Sequence, residues 1–298
     1  MSASEPPSVD VLIVSHNTRE LLEACLDSIE RHRPPEQRIK LRVKVFDNCS
    51  SDGTAQMLQT RFPSVELTRS STNEGFARAN NRLAAASSAD YLLLLNPDTV
   101  WRADIVEPLL ETLRRDPRTA IVGPRLIYPD GRVQLSSQRL PSLGYELALA
   151  LAGTKLARFG SLWDAGRIIA ATRQLDLLEE RVPRTTDFLW ATCWLLARAD
   201  LAGMPLFDRR FILYDEDLDL CTRLRRRGRT VVYRPDVELV HVGGASSTSS
   251  AKLALMRAAR TRYYRIHRGR LVALAYRYGV PLLWRLRLSG KRRTPGAA

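Results

Sequence analysis

Along its first half the chain repeats one pattern: a short apolar run, a polar stop, then apolar residues at helical spacing. Residues 9–15, 41–46, 65–67 and 91–95 are the runs, and the last reads Tyr91-Leu92-Leu93-Leu94-Leu95. All four predict strands, and the continuous run 91–95 predicts one buried on both faces, as in a parallel sheet. Between them, Leu21, Leu22, Cys25, Leu26 and Ile29 predict a helix, with Asn17 and Glu20 in the positions of a capping box. Further helices are predicted through Met57 and Leu58, through the alanines around Asn80 and Asn81, and over residues 104–115. Strand and helix alternating at this spacing predict an α/β fold, a mostly parallel sheet flanked by helices.

The pattern loosens after residues 121–127. Pro129-Asp130-Gly131 is a turn signal, and residues 134–139 read as a hairpin or a loop over the site. Residues 144–157 are apolar and helix-compatible; residues 160–184 fit neither period. Residues 187–197 are apolar and aromatic, suited to lie beneath an acceptor site. The acidic run Asp215-Glu216-Asp217-Leu218-Asp219 leads into Leu220 and Leu224 at helical spacing. Residues 230–233 and 237–241 predict two short strands separated by Arg234-Pro235-Asp236, and residues 243–250 a Gly/Ser-rich linker.

Charge sets the C-terminal tail apart. The net charge is +14, yet 13 of the 46 Lys and Arg lie from Lys252 onward, where there is no Asp or Glu. The remaining 33 nearly cancel the 32 acidic residues. In this tail Leu271-Val272-Ala273-Leu274-Ala275-Tyr276 and Leu282-Leu283-Trp284 alternate with Arg277, Arg285 and Arg287, and Pro281 is expected to break or kink the helix. Two readings fit: an interfacial helix on an anionic membrane, or a helix pair packed on the domain with a solvated basic face. No zinc-finger or RNP-type motif accompanies the charge, so nucleic acid is not an expected partner. Four separated cysteines with no C-x-x-C pair fit reduced thiols. The polar first residues and the lack of a span-length apolar run predict a cytoplasmic protein, peripheral on the cytoplasmic face of the membrane if the tail docks there.

Polar residues gather where the predicted strands end, at Ser15, Asp47 and Asp98. In open α/β sheets ligands bind outside those carboxyl ends. Asp98 follows the rigid Pro97, and a carboxylate there suits a hard cation, Mg²⁺ or Mn²⁺, that also holds phosphates. An ordinary Asn-Pro turn with a capping Asp fits the same residues. No G-x-G-x-x-G follows the first strand, which counts against a dinucleotide-binding dehydrogenase.

Six stretches in order resemble the inverting nucleotide-sugar glycosyltransferases of family 2, and most closely their rhamnosyltransferase-like branch. They are Ile13-Val14-Ser15-His16-Asn17, Asp47-Asn48-Cys49-Ser50-Ser51-Asp52-Gly53-Thr54, Asn73-Glu74-Gly75-Phe76-Ala77-Arg78-Ala79-Asn80-Asn81, Asn96-Pro97-Asp98, residues 211–219, and His241. The resemblance implies a GT-A fold, a Rossmann-like, mostly parallel sheet flanked by helices, over residues 1–250. Within it, about 9–127 is the nucleotide-binding half and about 128–250 the acceptor and catalytic half. Residues 251–298 are then a basic helical C-terminal extension.

The resemblance also implies roles. Ser15, Asn17, Asp47, Asn48, Asn73, Gly75, Phe76, Asn80 and Asn96 line the nucleotide-sugar site, with Asp47 accepting the imide N–H of uracil or thymine. Asp98 matches the second acid of the family's D-x-D metal motif, Asn96 standing where the first acid is usual; His241 matches a further metal ligand. Asp217 matches the catalytic base, with Glu216 as second choice. Trp190 and Ala191 fall on the acceptor side. The implied reaction is inverting transfer from a dTDP- or UDP-sugar, dTDP-rhamnose above all, to a glycan or lipid-linked acceptor. Other family 2 donors, galactofuranose or glucose nucleotides among them, are the nearest alternatives. A non-catalytic sugar-nucleotide- or nucleic-acid-binding protein is the alternative of another class; a sugar-nucleotide binder keeps Asp47 but should not need both Asp98 and Asp217.

Overall fold

The structure, a computed structural model, describes residues 5–151, 181–243, 250–283 and 285. Contacts divide the chain into two compact units: residues 1–138 with 181–247, and residues 139–180 with 248–298.

The first unit is built on a sheet of ten strands. Its parallel half comprises β1 (Ser8–Ser15), β2 (Lys40–Asn48), β3 (Glu66–Ser70) and β4 (Tyr91–Leu95), in the order β3-β2-β1-β4. Helices α1 (Arg19–His32), α2 (Thr54–Arg61) and α3 (Phe76–Ala85) make the connections. β1 lies between β2 and β4, and Val9, Val11, Leu12 and Ile13 are wholly buried. β4, the continuous apolar run, buries Leu92 to Leu95 and is covered on both faces, whereas β3 lies at the sheet's edge and has no buried residue. α1 buries Leu22, Cys25, Leu26 and Ile29, the predicted stripe.

Past β4 the order continues with β11 (Cys193–Ala197), β6 (Thr119–Ile127), β12 (Thr230–His241) and the short β5 (Thr99–Val100). β7 (Val133–Gln134) and β9 (Arg184–Thr186) pair off this path with β6 and β12. β8 (Ser137–Gln138) and β10 (Phe188–Leu189) form a separate antiparallel pair. α4 (Val106–Arg115) presents Val106, Leu109, Leu110 and Leu113 to the core, and Asp104 Oδ1 accepts the Val106 N–H at 2.8 Å. α6 (Glu216–Arg226) buries Leu218, Leu220 and Leu224.

Two local expectations change. α1 has no capping box: Thr18 is its N-cap and makes no side-chain cap bond. Asn17 is left-handed (φ 52°), and its Oδ1 accepts the Ser51 N–H from the loop after β2 at 2.8 Å. Asp52, from that same loop, accepts the Arg19 N–H at 2.9 Å. Residues 230–241 form one strand rather than two. Proline cannot donate to the ladder, so Pro235 marks a bulge, with a register shift between Arg234 and Glu238.

In the second unit α5 (Leu143–Leu151), α7 (Ser250–His267) and α8 (Arg270–Leu274) are described. Arg260 pairs with Glu146 at 2.8 Å, and Tyr264 packs between Tyr263 and Tyr276 at ring-centroid distances of 5.8 and 5.1 Å. Pro281 does not end the last helix, which runs on from α8 through residue 283. A π-helical turn at Ala275–Gly279 comes just before it. Proline lacks the N–H for a normal i−4 bond and its ring crowds that carbonyl, so a widened turn accommodates it. No described helix is long and apolar enough to cross a membrane. Residues 160–180, most of the predicted linker, Trp284 and Arg287 lie outside the described residues.

Candidate functional site

The carboxyl ends of β1, β2 and β4 present the polar residues expected there. Ser15 Oγ shares a hydrogen bond with Thr18 Oγ1 at 2.9 Å, and the His16 ring Nδ1 lies 2.9 Å from the Asn48 carbonyl oxygen. Asp47 is only 2% exposed; its Oδ1 accepts the Ser50 N–H at 3.0 Å, and Arg69 lies 3.6 Å from its Oδ2. Asn48 donates from Nδ2 to Asn73 Oδ1 at 3.0 Å and accepts the Glu74 N–H at 2.7 Å. Asn73 Oδ1 also accepts the Gly75 N–H at 2.9 Å. These amides fold the loop after β3 against the end of β2.

Gly75 meets a second loop. Its φ is +78°, a region that disfavours side chains, and a Cβ there would lie 3.1 Å from the Ile212 carbonyl oxygen. The chain before Ile212 is held by α3: Asn81 donates to the Phe207 carbonyl and accepts the Phe207 N–H, both at 2.8 Å. Phe76 packs on Phe207 at a centroid distance of 5.7 Å. Asn80 instead donates to the Phe76 carbonyl within its own helix, at 3.0 Å. The loop after β3 and the loop leading to the acidic run are thus in contact.

The acidic run enters α6 through Tyr214 and Asp215, both left-handed, at φ 69° and 60°. Two consecutive non-glycine residues in this region store backbone strain of the kind that gathers at functional sites. Three of the run's carboxylates have different environments. Asp219 is fully buried and paired with Arg223 at 2.7 Å, while Arg223 also donates to the Leu206 carbonyl. That is a structural ion pair. Glu216 is buried, its Oε2 has no hydrogen-bond partner among the described residues, and burial followed by the charge of Asp217 pushes its pKa up to about 8. Asp217 is half-buried, and its Oδ1 accepts the Leu218 N–H at 2.7 Å.

A third group forms where β12 pairs antiparallel with β5, setting His241 opposite Thr99. His241 Nε2 lies 3.2 Å from Asp98 Oδ2. Behind the ring, Gln134 Nε2 donates to the His241 backbone carbonyl at 2.7 Å, and Gln134 Oε1 lies 2.7 Å from His241 Nδ1. A carbonyl only accepts, so the amide's orientation is fixed. An amide oxygen also only accepts, so Nδ1 carries the ring proton. In a neutral ring the Nε2 lone pair then faces a carboxylate oxygen. A proton shared between them, or a divalent cation beside both, can hold such a pair, and in the second case Asp98 and His241 are two ligands of a metal site. Among the described residues no cluster of three His, Cys, Asp or Glu suited to a metal forms, so Asp98 and His241 are the two candidate protein ligands there.

Asn96 and Trp190 are held through backbone bonds. The Asn96 N–H donates to the Thr192 carbonyl, and the Trp190 N–H to the Ser136 carbonyl, each at 2.9 Å. Trp190 is 37% exposed, whereas Ala191 is buried. Cys25 lies beneath Asn96 and Thr99, its thiol pushed up to about 12 by burial, and it remains protonated at neutral pH. Sequence alone assigns no role to Gln134 or Asn81, though Asn81 lies in one of the six family-like stretches and Gln134 opens the predicted loop over the site.

The family model described as "Glycosyl transferase family 2" matches residues 10–175. The chain belongs to glycosyl transferase family 2. An N-acetylglucosaminyl-diphospho-decaprenol L-rhamnosyltransferase of Mycobacterium tuberculosis is 33% identical over 210 residues, 67% of this chain and 66% of the relative. The match thus spans just under two thirds of that relative's length. An O-antigen biosynthesis protein of Myxococcus xanthus is 24% identical over 82% of this chain and 18% of its own. The fold is GT-A. A Pyrobaculum calidifontis mannosyltransferase, solved with GDP-Man and Mn²⁺, shares it at a TM-score of 0.58 and 16% identity, over 98% of this chain and 77% of that one. GalNAc-T7, solved with UDP, GalNAc and Mn²⁺, gives 0.58 at 12% identity, over 96% and 55%.

Proposed function

We propose that this member of the family transfers L-rhamnose from dTDP-rhamnose, with inversion, to a hydroxyl of a lipid-linked glycan precursor. The observation that carries a transferase reading is the pairing of Asp98 with His241, across β5 and β12, in a sheet whose neighbouring strand ends hold Asp47 and Asn48. The 33% identical relative, named for L-rhamnosyl transfer to a diphospho-decaprenol acceptor, supports the choice of donor and acceptor.

Asp47 reads the imide edge of the pyrimidine through Oδ2, with exposed Arg69 yielding to the base. Ser15, Asn17, Asn48, Asn73, Gly75, Phe76, Asn80 and Asn96 shape the nucleotide-sugar cleft, Gly75 by letting backbone approach closely. Asp98 and His241 hold a divalent cation, Mg²⁺ or Mn²⁺, whose charge offsets that of the departing diphosphate. A cation held there would supply the charge that makes the diphosphate a good leaving group, so that one carboxylate would suffice, in contrast to the pair a glycosidase needs. Asp217 takes the proton of the acceptor hydroxyl as that oxygen attacks the anomeric carbon from the face opposite the leaving group. Glu216 fits the role less well, because a carboxyl with its pKa near 8 holds its own proton at neutral pH. Trp190, exposed beside Ala191, offers a ring face to the acceptor sugar. The basic helices meet the anionic membrane in which such an acceptor resides.

Incubation of the full chain with Mn²⁺, dTDP-rhamnose and an N-acetylglucosaminyl-diphospho-polyprenol tests the reading. The expected product carries rhamnose with inverted anomeric configuration, resolved by NMR. Transfer from UDP-glucose or UDP-galactofuranose but not from dTDP-rhamnose would replace the donor and leave the transferase reading intact.

A further inference from the structure

The second unit contains a cavity of about 530 Å³, lined by Arg257, Arg262 and Arg265 of α7 and by Tyr276, Arg277 and Pro281 beyond α8, among others. Four guanidinium-bearing residues share this lining, and it includes no Asp or Glu. Arg257, Arg262 and Arg265 recur every three to five residues on one side of α7. Like charges gathered around one groove repel each other, so the arrangement favours an anion with several oxygens, which forked guanidinium donors match.

The last helix, which supplies Tyr276, Arg277 and Pro281 to the groove, exposes Leu271, Leu274, Tyr278 and Leu282 at the spacing of a single helical face, with Leu271 82% exposed. α7 adds exposed Leu253, Leu255 and Met256. A soluble phosphate has no use for such a stripe. A phosphate at the end of an acyl or isoprenoid chain satisfies both features, its oxygens in the arginine groove and its chain against the leucines.

We infer that this groove is a binding site for the phosphate group of a membrane lipid, holding the anionic headgroup while the apolar stripe enters the bilayer. The inference rests on the proposed membrane contact of the basic helices and adds where that contact is made. It also differs from diffuse attraction, because diffuse attraction depends on how many charges are present rather than which.

The test uses the full chain and sedimentation with vesicles of phosphatidylcholine, with and without phosphatidylglycerol. Arg257→Ser, Arg262→Ser and Arg265→Ser together remove three groove charges. Arg268→Ser, Arg270→Ser and Arg285→Ser remove three exposed charges that do not line it. Each charge near an anionic surface contributes roughly a fivefold factor. Diffuse attraction therefore predicts equal losses of about a hundredfold in the two variants, and the groove reading predicts a loss about tenfold or more greater in the first. Equal losses would overturn the groove. Failure of the unsubstituted chain to sediment with phosphatidylglycerol vesicles would overturn the membrane reading itself. Inorganic pyrophosphate competes for the same guanidinium forks, so it is expected to release the chain from vesicles well beyond chloride at equal ionic strength, and release no greater than that of chloride would overturn the groove. If the serine set loses helical circular dichroism, the three Arg→Lys changes take its place. These keep the charge but remove the forks, and unchanged partition would then overturn the site.

Discussion

Asp217 and Glu216 are adjacent carboxylates in opposite environments, and each supports its own prediction. Asp217 is half-buried, with one oxygen turned to the Leu218 N–H, and replacing it by Asn keeps size and shape while removing basicity. Asp217→Asn is expected to lower kcat by roughly a hundredfold to ten-thousandfold. Donor affinity, read by calorimetric titration, should stay within about twofold, since a base acts on the acceptor. Near-normal turnover would reject the assignment. Glu216 is predicted to govern stability instead. Its folded pKa, near 8, exceeds its ordinary 4.5, so the folded protein binds that proton more tightly than the unfolded chain. The stability this gives is complete below pH about 4.5 and is lost as pH rises through about 8, at up to about 1.4 kcal/mol per pH unit. Glu216→Gln should therefore flatten the decline in thermal stability across that window. Parallel Tm profiles of the variant and the unsubstituted chain would show that the carboxyl ionises freely in the folded protein.

Elements bring together what is distant in the chain, and here the sequence is legible in part. The apolar runs identify β1, β2 and β4 because strands covered on both faces need mostly apolar residues, with the buried Asp10 and Lys44 as exceptions, and Asp47 and Asp98 follow from where those strands end. Local spacing makes Asn17 look like a cap, but its partner is Ser51, beyond a helix and a strand. Gln134 carries no visible function in the sequence because its meaning comes from β7 pairing with β6, which in turn pairs with β12 and so sets Gln134 beside His241. That placement makes a measurable claim. Gln134→Leu keeps the bulk but frees His241 Nδ1 to lose its proton preference and the ring to rotate. Mn²⁺ affinity, followed by titration in the presence of dTDP, is expected to fall about 10- to 100-fold. Unchanged affinity would mean that the amide serves only the backbone of β12.

At the scale of the whole molecule, the two units divide the chemistry: the strand-end carboxylates belong to one and the arginine groove to the other. Ligand effects on stability should divide in the same way. A donor at a hundred times its Kd adds about 2.7 kcal/mol to the form that binds it. For a unit of this size that is a rise of roughly 5–10 °C in Tm. With Mn²⁺ present, dTDP-rhamnose should produce such a rise, and chelation with EDTA should remove most of it, because the diphosphate is then left facing Asp98 without a neutralising charge. Asp98→Ala should lose the rise even with Mn²⁺ present. Substituting Arg257, Arg262 and Arg265 should leave it intact, since none of the three belongs to the unit that holds the donor. A rise that survives both chelation and Asp98→Ala would show that the nucleotide binds without the cation. Asn96, standing where an acid is usual, would then mark a site adapted to work without one.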